Sequence, residues 1–351
     1  MNYHRDLGNL KKNTVNGLGT KILSSGIFLP EKKVTSVEIF SAFDSENKFD
    51  LSKNWMVDNM GIIERRMCDF NSKPSDLAIP AAEQAIENFD GNIDEIDAVI
   101  FCGIERDQPE PSTAHTVQEK LGINTKYAFD VGDACFGFFD GLNIASSFIQ
   151  SKLARLVLVV TGEVPTKLTR IIIDKANNGA SKKELFDQLG FLSVGDAGGA
   201  MIIGGSGIDS NSGFVRFDSE TLSEHSDLCY YGNDHEKGFY ASMKMAKILS
   251  KGFRMHQKLF AKYQEYEQYE HPRFLLSHQV GKRAFEQIAS LGVVPKERMI
   301  KSYDLFGNAT SANLPLNYHQ LITSGQANEN DIILGCYNGS GLSTGQMTIR
   351  V

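Results

Sequence analysis

Three residues of this chain supply a nucleophile, a proton carrier and a neutral hydrogen-bond donor: Cys135, His278 and Asn308. Each stands where an apolar, strand-like run gives way to a helical pattern. Cys135 follows YAFDV (127–131) and the break at Gly132-Asp133; His278 ends RFLLSH (273–278); Asn308 lies in LFGNATSA (305–312). A helix N-terminus stabilises a thiolate, the nucleophilic form of cysteine. An imidazole can take the thiol proton or donate to a developing oxyanion, and an amide donates without changing charge. Each residue also has a plainer role open to it. The cysteine can be a small buried hydrophobe, the histidine a strand-end group satisfied by its neighbours, the asparagine a helix N-cap. Spacing in the sequence does not bring the three together.

The elements that must position them read as α/β. IDAVIFCGI (96–104) and LVLVVTGE (156–163) are buried-strand patterns, and STAHTVQEKLGI (112–123) is a helix closing at Gly122. Strand, helix and strand in that order imply a βαβ unit and a parallel sheet covered on both faces. SDLAIPAAEQAIENF (75–89) reads as a helix behind a Ser-Asp cap, and KMAKILSKGFRMHQKLFAKYQE (244–265) as a long helix. TKILSSGIFLP (20–30), GFVRFDSET (213–221) and the closing DIILGCYNGSGLSTGQMTIRV supply further strands, the last as two around a glycine-rich turn. Residues 208–240 otherwise give no clear pattern. The unit written around Cys135 has a faint echo around RFLLSH and Asn308, which places ligands at matching strand ends.

With 351 residues the chain suits one large domain or two packed halves. Residues 1–17 read as a flexible lead-in, 18–207 as an N-terminal half with a charge-mixed insertion at 165–190, and 208–351 as a C-terminal half. A net charge of −7 argues against a nucleic-acid or anionic-membrane binder driven by bulk charge. Five cysteines (Cys68, Cys102, Cys135, Cys229 and Cys336) lack metal-type spacing, which favours reduced thiols in a cytoplasmic protein and no metal. The polar start MNYHRDLGNLKKNT has no signal-peptide core, and no run approaches the length of a membrane span.

Seven stretches in order resemble the ketoacyl synthase III family of thiolase-fold condensing enzymes. They are GIIERRM (61–67), SDLAIPAAEQAI (75–86), ACFGF around Cys135, SVGDAGGAMII (193–203), HQVGKRAF (278–285), GNATSANLP (307–315) and GSGLSTG (339–345). The resemblance implies a five-layer αβαβα thiolase fold of two similar halves with an internal duplication, normally a homodimer. It implies that a thioester acylates Cys135, that His278 and Asn308 bind the second carbonyl, and that the backbone N–H groups of Cys135 and Ser340 form the other oxyanion hole. The turn Gly339-Ser340-Gly341 must then be small and sharp. No permanently bound cofactor is implied; CoA or acyl-carrier phosphopantetheine thioesters enter as substrates, with an acyl carrier protein as a possible partner.

Two positions depart from the family pattern. Gly281 replaces the asparagine of the usual HQAN, and Asn59 stands where a CoA-contacting arginine is usual. Trp55 is either an adenine-stacking group or an ordinary packed aromatic. Phe136, Phe138 and Phe139 are placed to shape an acyl pocket or to fill the core. Glu110, in RDQPEPSTAH (106–115), resembles a glutamate of the subgroup that joins two acyl chains head to head, as in bacterial olefin synthesis. There the loop crosses the dimer and the carboxylate acts as base in the partner's site. A solvated loop acid is the plain alternative.

The reading is a Claisen-condensing acyltransferase acting through an acyl group on Cys135. Its rivals are the decarboxylative enzyme using malonyl-carrier protein, a Cys/His/Asn thioester hydrolase, and an inactive partner subunit of a heterodimer. The papain-type signature near the N-terminus is absent, and the intact trio argues against inactivity.

Overall fold

In IDAVIFC and LVLVV adjacent residues, not alternate ones, are apolar, as in strands covered on both faces. In a computed structural model of the chain, describing residues 18–206, 212–234, 238–265 and 270–351, these runs form Ile96–Cys102 and Leu156–Glu163, buried at every position. They lie inside a five-stranded sheet whose spatial order is Thr20–Phe28, Ala197–Gly205, Leu156–Glu163, Ile96–Cys102 and Tyr127–Val131. The last three run parallel, joined by the expected βαβ crossover. The first two pair antiparallel, so the sheet is mixed where a parallel one was expected.

A second sheet repeats the plan in the order Phe274–Ser277, Ile332–Gly339, Ser343–Arg350 and Gly213–Thr221. Its pairings are parallel, antiparallel, antiparallel, the same senses met between Ile96–Cys102 and Thr20–Phe28. Helices Pro74–Glu87 and Thr113–Leu121 cover the outer face of the first sheet. Gly137–Gln150 and Asn313–Thr323 lie between the sheets, and Met245–Gln264 covers the second. This is the five-layer, duplicated arrangement. Phe138, Phe139, Leu142, Phe274, Leu314 and Met347 are among the residues that fill the space between the sheets.

Several boundaries moved for local reasons. The helix expected behind Ser75-Asp76 begins at Pro74, because Asp76 reaches back to the Lys73 N–H at 2.8 Å. The segment 165–190 folds as two helices, Thr166–Asn177 and Lys182–Gln188. Cys229–Asp234 and Gly238–Met243 pair as an antiparallel hairpin that the sequence did not signal. The lead-in 1–17 and the boundary expected at 207–208 lie outside the described residues. Among the described residues no helix is long and apolar enough to cross a membrane.

Candidate active site

The first sheet delivers Cys135. After Val131 the chain turns sharply, with Ala134 at φ +48°, a conformation unusual for a side chain with a Cβ. Phe136 is the N-cap and the helix starts at Gly137, so Cys135 precedes the first turn instead of opening it. Burial pushes the Cys135 thiol well above its ordinary range, with Glu163 adding to the effect. The site without substrate therefore holds a thiol. A helix terminus beside such a thiol favours the negative charge that develops during attack.

The second sheet delivers His278, whose backbone N–H donates to the Cys336 carbonyl at 2.9 Å. Gln279 shows why glutamine follows it. Its Nε2 donates to Ile300 O at 2.6 Å and its Oε1 accepts from the Ser302 and Tyr303 N–H groups, tying the histidine to the next loop. Asn308 is held by a bridge across the halves. Its N–H donates to Ser193 O at 2.9 Å and its carbonyl accepts from Gly195 N–H at 3.1 Å. Gly195 has to be glycine, since a Cβ there would lie 2.1 Å from Phe306 O. Buried Arg65 donates to Leu192 O at 2.9 Å and to Ser36 Oγ at 3.0 Å, bracing the same stretch from behind. GIIERRM, SVGDAGG and GNATSA are thus one supporting structure around Asn308.

His278 Nε2 and Asn308 Oδ1 are 3.1 Å apart. Burial lowers the imidazole to about 4, against the opposing bond to Asn308, so the ring is neutral at physiological pH. Cys135, His278, Asn308, Gly339 and Ser340 line one cavity, brought from motifs far apart in sequence. Much of the remaining wall is Met, Ile, Leu and Phe from the hairpin and the helix Met245–Gln264. Sequence reasoning missed that wall, although Met245, Ile248, Leu249, Gly252 and His256 share one helical face. His256 is fully buried and its Nε2 lies 2.7 Å from Asn338 Oδ1.

Trp55, Asn59, Gly281 and Arg283 line an adjoining cavity that shares Met245, Leu249, Val280 and Ala284 with the first. Trp55 also stacks on Phe40, and Asn59 Nδ2 donates to Trp55 O at 2.9 Å. At Gly281, φ is +141° and a Cβ would lie 2.9 Å from Met60 O, so the departure from HQAN has a steric cause.

Three expectations need correcting or placing. Phe138 does not line either cavity; it is fully buried between the sheets, the core alternative left open by the sequence. Phe136 and Phe139 stack on each other in the same layer. Gly341 is not part of the cavity wall; its φ of +138° serves the turn, while Gly339 has to lack a side chain because a Cβ would meet Phe136 Cβ at 2.7 Å. Glu110 is exposed on the loop before Thr113–Leu121 and does not line the cavity of its own chain.

Residues 129–223 match the family model of 3-oxoacyl-[acyl-carrier-protein (ACP)] synthase III, and residues 268–351 match its C-terminal part. A β-ketoacyl-[acyl-carrier-protein] synthase III of Ehrlichia canis is 30% identical over 94% of this chain and 98% of its own. The protein of that name from Aquifex aeolicus is 29% identical over 95% of this chain and 100% of its own. Crystal structures of Xanthomonas campestris OleA share the fold. A variant with a Glu-to-Ala substitution superposes with a TM-score of 0.88 at 22% identity, covering 95% of this chain and 98% of the other. A Cys-to-Ser variant with bound lauric acid and lauroyl-CoA has the same score, covering 95% and 99%.

Proposed function

The chain belongs to the 3-oxoacyl-[acyl-carrier-protein] synthase III family of condensing acyltransferases, and from that premise we propose that it joins two acyl thioesters through an acyl group held on Cys135. The observation that carries the reading is the meeting of Cys135, His278 and Asn308 on one largely apolar cavity. In the first step the Cys135 sulfur attacks the thioester carbonyl, and the carrier leaves as a thiol with the cysteine's proton. Backbone N–H groups of Cys135 and Ser340 face the developing oxyanion. In the second step a carbanion beside the second thioester's carbonyl attacks the acyl-enzyme. His278 and Asn308 stabilise that carbonyl's negative charge, and the cysteine leaves with the product formed as a β-ketoacyl thioester. The Trp55-lined cavity is the approach for the carrier arm, CoA or the phosphopantetheine of an acyl carrier protein.

Glu110 removes the α-proton from the second thioester, acting in the site of a second copy. Its exposure and its absence from its own cavity wall support a role across an interface. So does the sheet edge Tyr127–Val131, half-buried at every position with one backbone side unpaired, which suits a homodimer. A second reading, condensation driven by loss of carbon dioxide from a malonyl thioester, is favoured by the names of the curated relatives. We place the enzyme in the cytoplasm and assign the two halves to 18–207 and 208–351. Intact-protein mass spectrometry with a panel of acyl-CoAs tests the reading: wild type gains one acyl mass per chain and Cys135→Ala gains none. Acylation that survives the substitution refutes it.

A further inference from the structure

The strand Leu156–Glu163 ends on a carboxyl group that is 1% exposed and has no cation against it among the contacts described. Glu163 Oε1 accepts the Ile104 N–H at 3.3 Å and lies 2.5 Å from Ser311 Oγ. The same Ser311 oxygen, also buried, is 3.1 Å from the carbonyl oxygen of Ala134. A serine hydroxyl has one hydrogen, so it cannot donate to both partners. Both contacts are satisfied together only when Glu163 carries a proton and donates it to Ser311, which leaves the serine hydrogen for Ala134. Burial raises Glu163 to about 8, in keeping with that arrangement. The ionisable groups that face it are Glu105, Cys135, Cys102 and Tyr231, and Lys167 stands 4.0 Å from Glu105.

The Ala134 carbonyl and the Cys135 N–H are opposite ends of one planar peptide. A hydrogen bond on the carbonyl fixes the tilt of that plane and polarises the N–H at its other end. The Gly137 N–H also reaches this carbonyl, at 3.3 Å, and Ala134 holds its positive φ without glycine's freedom. We propose that Glu163, as a neutral acid, and Ser311 form a relay that aims the Cys135 N–H at the oxyanion of the acyl-transfer step. Both are positioning residues and touch no substrate. The proposal rests on acyl transfer at Cys135. Ionising Glu163 would draw the serine hydrogen to the carboxylate and release the Ala134 carbonyl.

The test compares two reactions of the same sulfur: acylation by acyl-CoA, which builds an oxyanion, and alkylation by iodoacetamide, which does not. Ser311→Ala should acylate roughly tenfold or more slowly, a fraction of the 10²–10³ seen when an oxyanion donor is removed outright. Its alkylation rate should stay within about twofold of wild type, since the aim of the N–H does not enter that step. Glu163→Gln keeps a neutral donor to Ser311 at every pH, although its amide nitrogen cannot accept the Ile104 N–H that meets the same oxygen. Its acylation rate relative to wild type should be steady below pH 7 and rise as pH passes through 8, where wild type loses the relay. If Ser311→Ala fails to fold, the pH ratio of Glu163→Gln to wild type decides alone. Equal losses in both reactions, or a ratio that does not change with pH, overturn the relay. A wild type that takes no acyl group overturns the acyl-transfer reading itself, and the relay with it.

Discussion

The amide oxygen of Asn308 lies 3.1 Å from His278 Nε2 and also accepts from the Thr310 backbone N–H at 3.0 Å and from Asn313 Nδ2 at 3.4 Å. A backbone N–H can only donate, so Oδ1 is fixed in that position and the neutral imidazole must carry its proton on Nε2. Without substrate the Nε2 hydrogen is used on Oδ1; an entering carbonyl competes for it, with Asn308 Nδ2 as the second uncharged donor beside it. Such a pair suits a carbonyl that becomes an oxyanion better than it suits a proton acceptor.

His278→Ala and Asn308→Ala should accordingly slow condensation by roughly two to three orders of magnitude each. Acylation of Cys135 should fall far less. Single-turnover acylation and steady-state product formation, measured on the same preparations, separate the two steps. Because burial holds His278 at about 4, condensation should show no inflection from this group between pH 5.5 and 8. Variants that condense at the wild-type rate would remove both residues from the mechanism.

Cys135 should be the single acyl acceptor among the cysteines. Cys102 and Cys336 are fully buried, and burial pushes both thiols up. Cys229 shares the cavity but its thiol bonds to Ser340. Since the Cys135 thiol is also raised, its acylation rate should climb steadily from pH 6 to pH 8. Peptide mapping after acyl-CoA treatment locates the adduct; a label on Cys229 that persists in Cys135→Ala would reassign the nucleophile.

Gly281→Asn, which restores the family's usual residue, should harm this chain. The new Cβ would press on Met60 O and Met60 Cβ at a φ of +141°, where a side chain is strained. The expected cost is about 1–3 kcal/mol of stability. A weaker apparent affinity for the thioester should accompany it, because Gly281 walls the Trp55 cavity. Urea unfolding and KM, measured together, check both; an unchanged unfolding midpoint refutes the steric account.

His256 and His278 are both held near 4 by burial, below the ~6.5 of an unfolded histidine. Between those values the unfolded chain binds protons that the native chain refuses. The stability they allow is complete above about pH 6.5 and is lost as pH falls towards 4. His256→Gln keeps a donor for Asn338 and removes one titration. Its stability relative to wild type should rise between pH 7.5 and pH 5, by up to ~1.4 kcal/mol per pH unit inside the window. The raised carboxyls Glu163 and Asp140 act in the opposite sense but are common to both proteins. A difference that stays constant with pH would contradict the burial account.

The sequence carried the framework where burial is simple. Leu156–Glu163 and Gly213–Thr221 were legible to the residue, the first from an apolar run closing on Gly162-Glu163 and the second from its opening glycine. Cys135, His278 and Asn308 stood out because each interrupts a strand-to-helix junction. What stayed hidden depends on partners remote in the chain. Ser311 lies 148 residues from Glu163, and no local pattern predicts that bond. A signal for Glu163 did exist, an acid closing an otherwise uncharged buried strand. The pairing of 229–234 with 238–243 was unreadable because CYYGND and GFYASM lack strict alternation, and the choice between pocket and core for Phe138 stayed open because helix phase decides it.

Glu110 decides between the two condensation chemistries, and its position allows a test that needs no structure of the dimer. A base acting in its own chain should sit on the cavity wall beside Cys135, whereas Glu110 is exposed and off that wall. Glu110→Gln keeps the shape, removes the base, and should acylate normally while condensing at least about a hundredfold more slowly. Cys135→Ala is inactive for the opposite reason. Mixed dimers of these two inactive variants contain one site with an intact Cys135 facing an intact Glu110 from the partner subunit. Mixing after mild dissociation should therefore restore activity towards one quarter of wild type, since about half of the randomly formed dimers are mixed and each has one working site of two. A base acting within its own chain restores nothing, because neither chain then has both groups. If Glu110→Gln instead condenses at the wild-type rate and activity depends on a malonyl thioester with release of carbon dioxide, Glu110 is a surface residue. The carbanion then comes from decarboxylation.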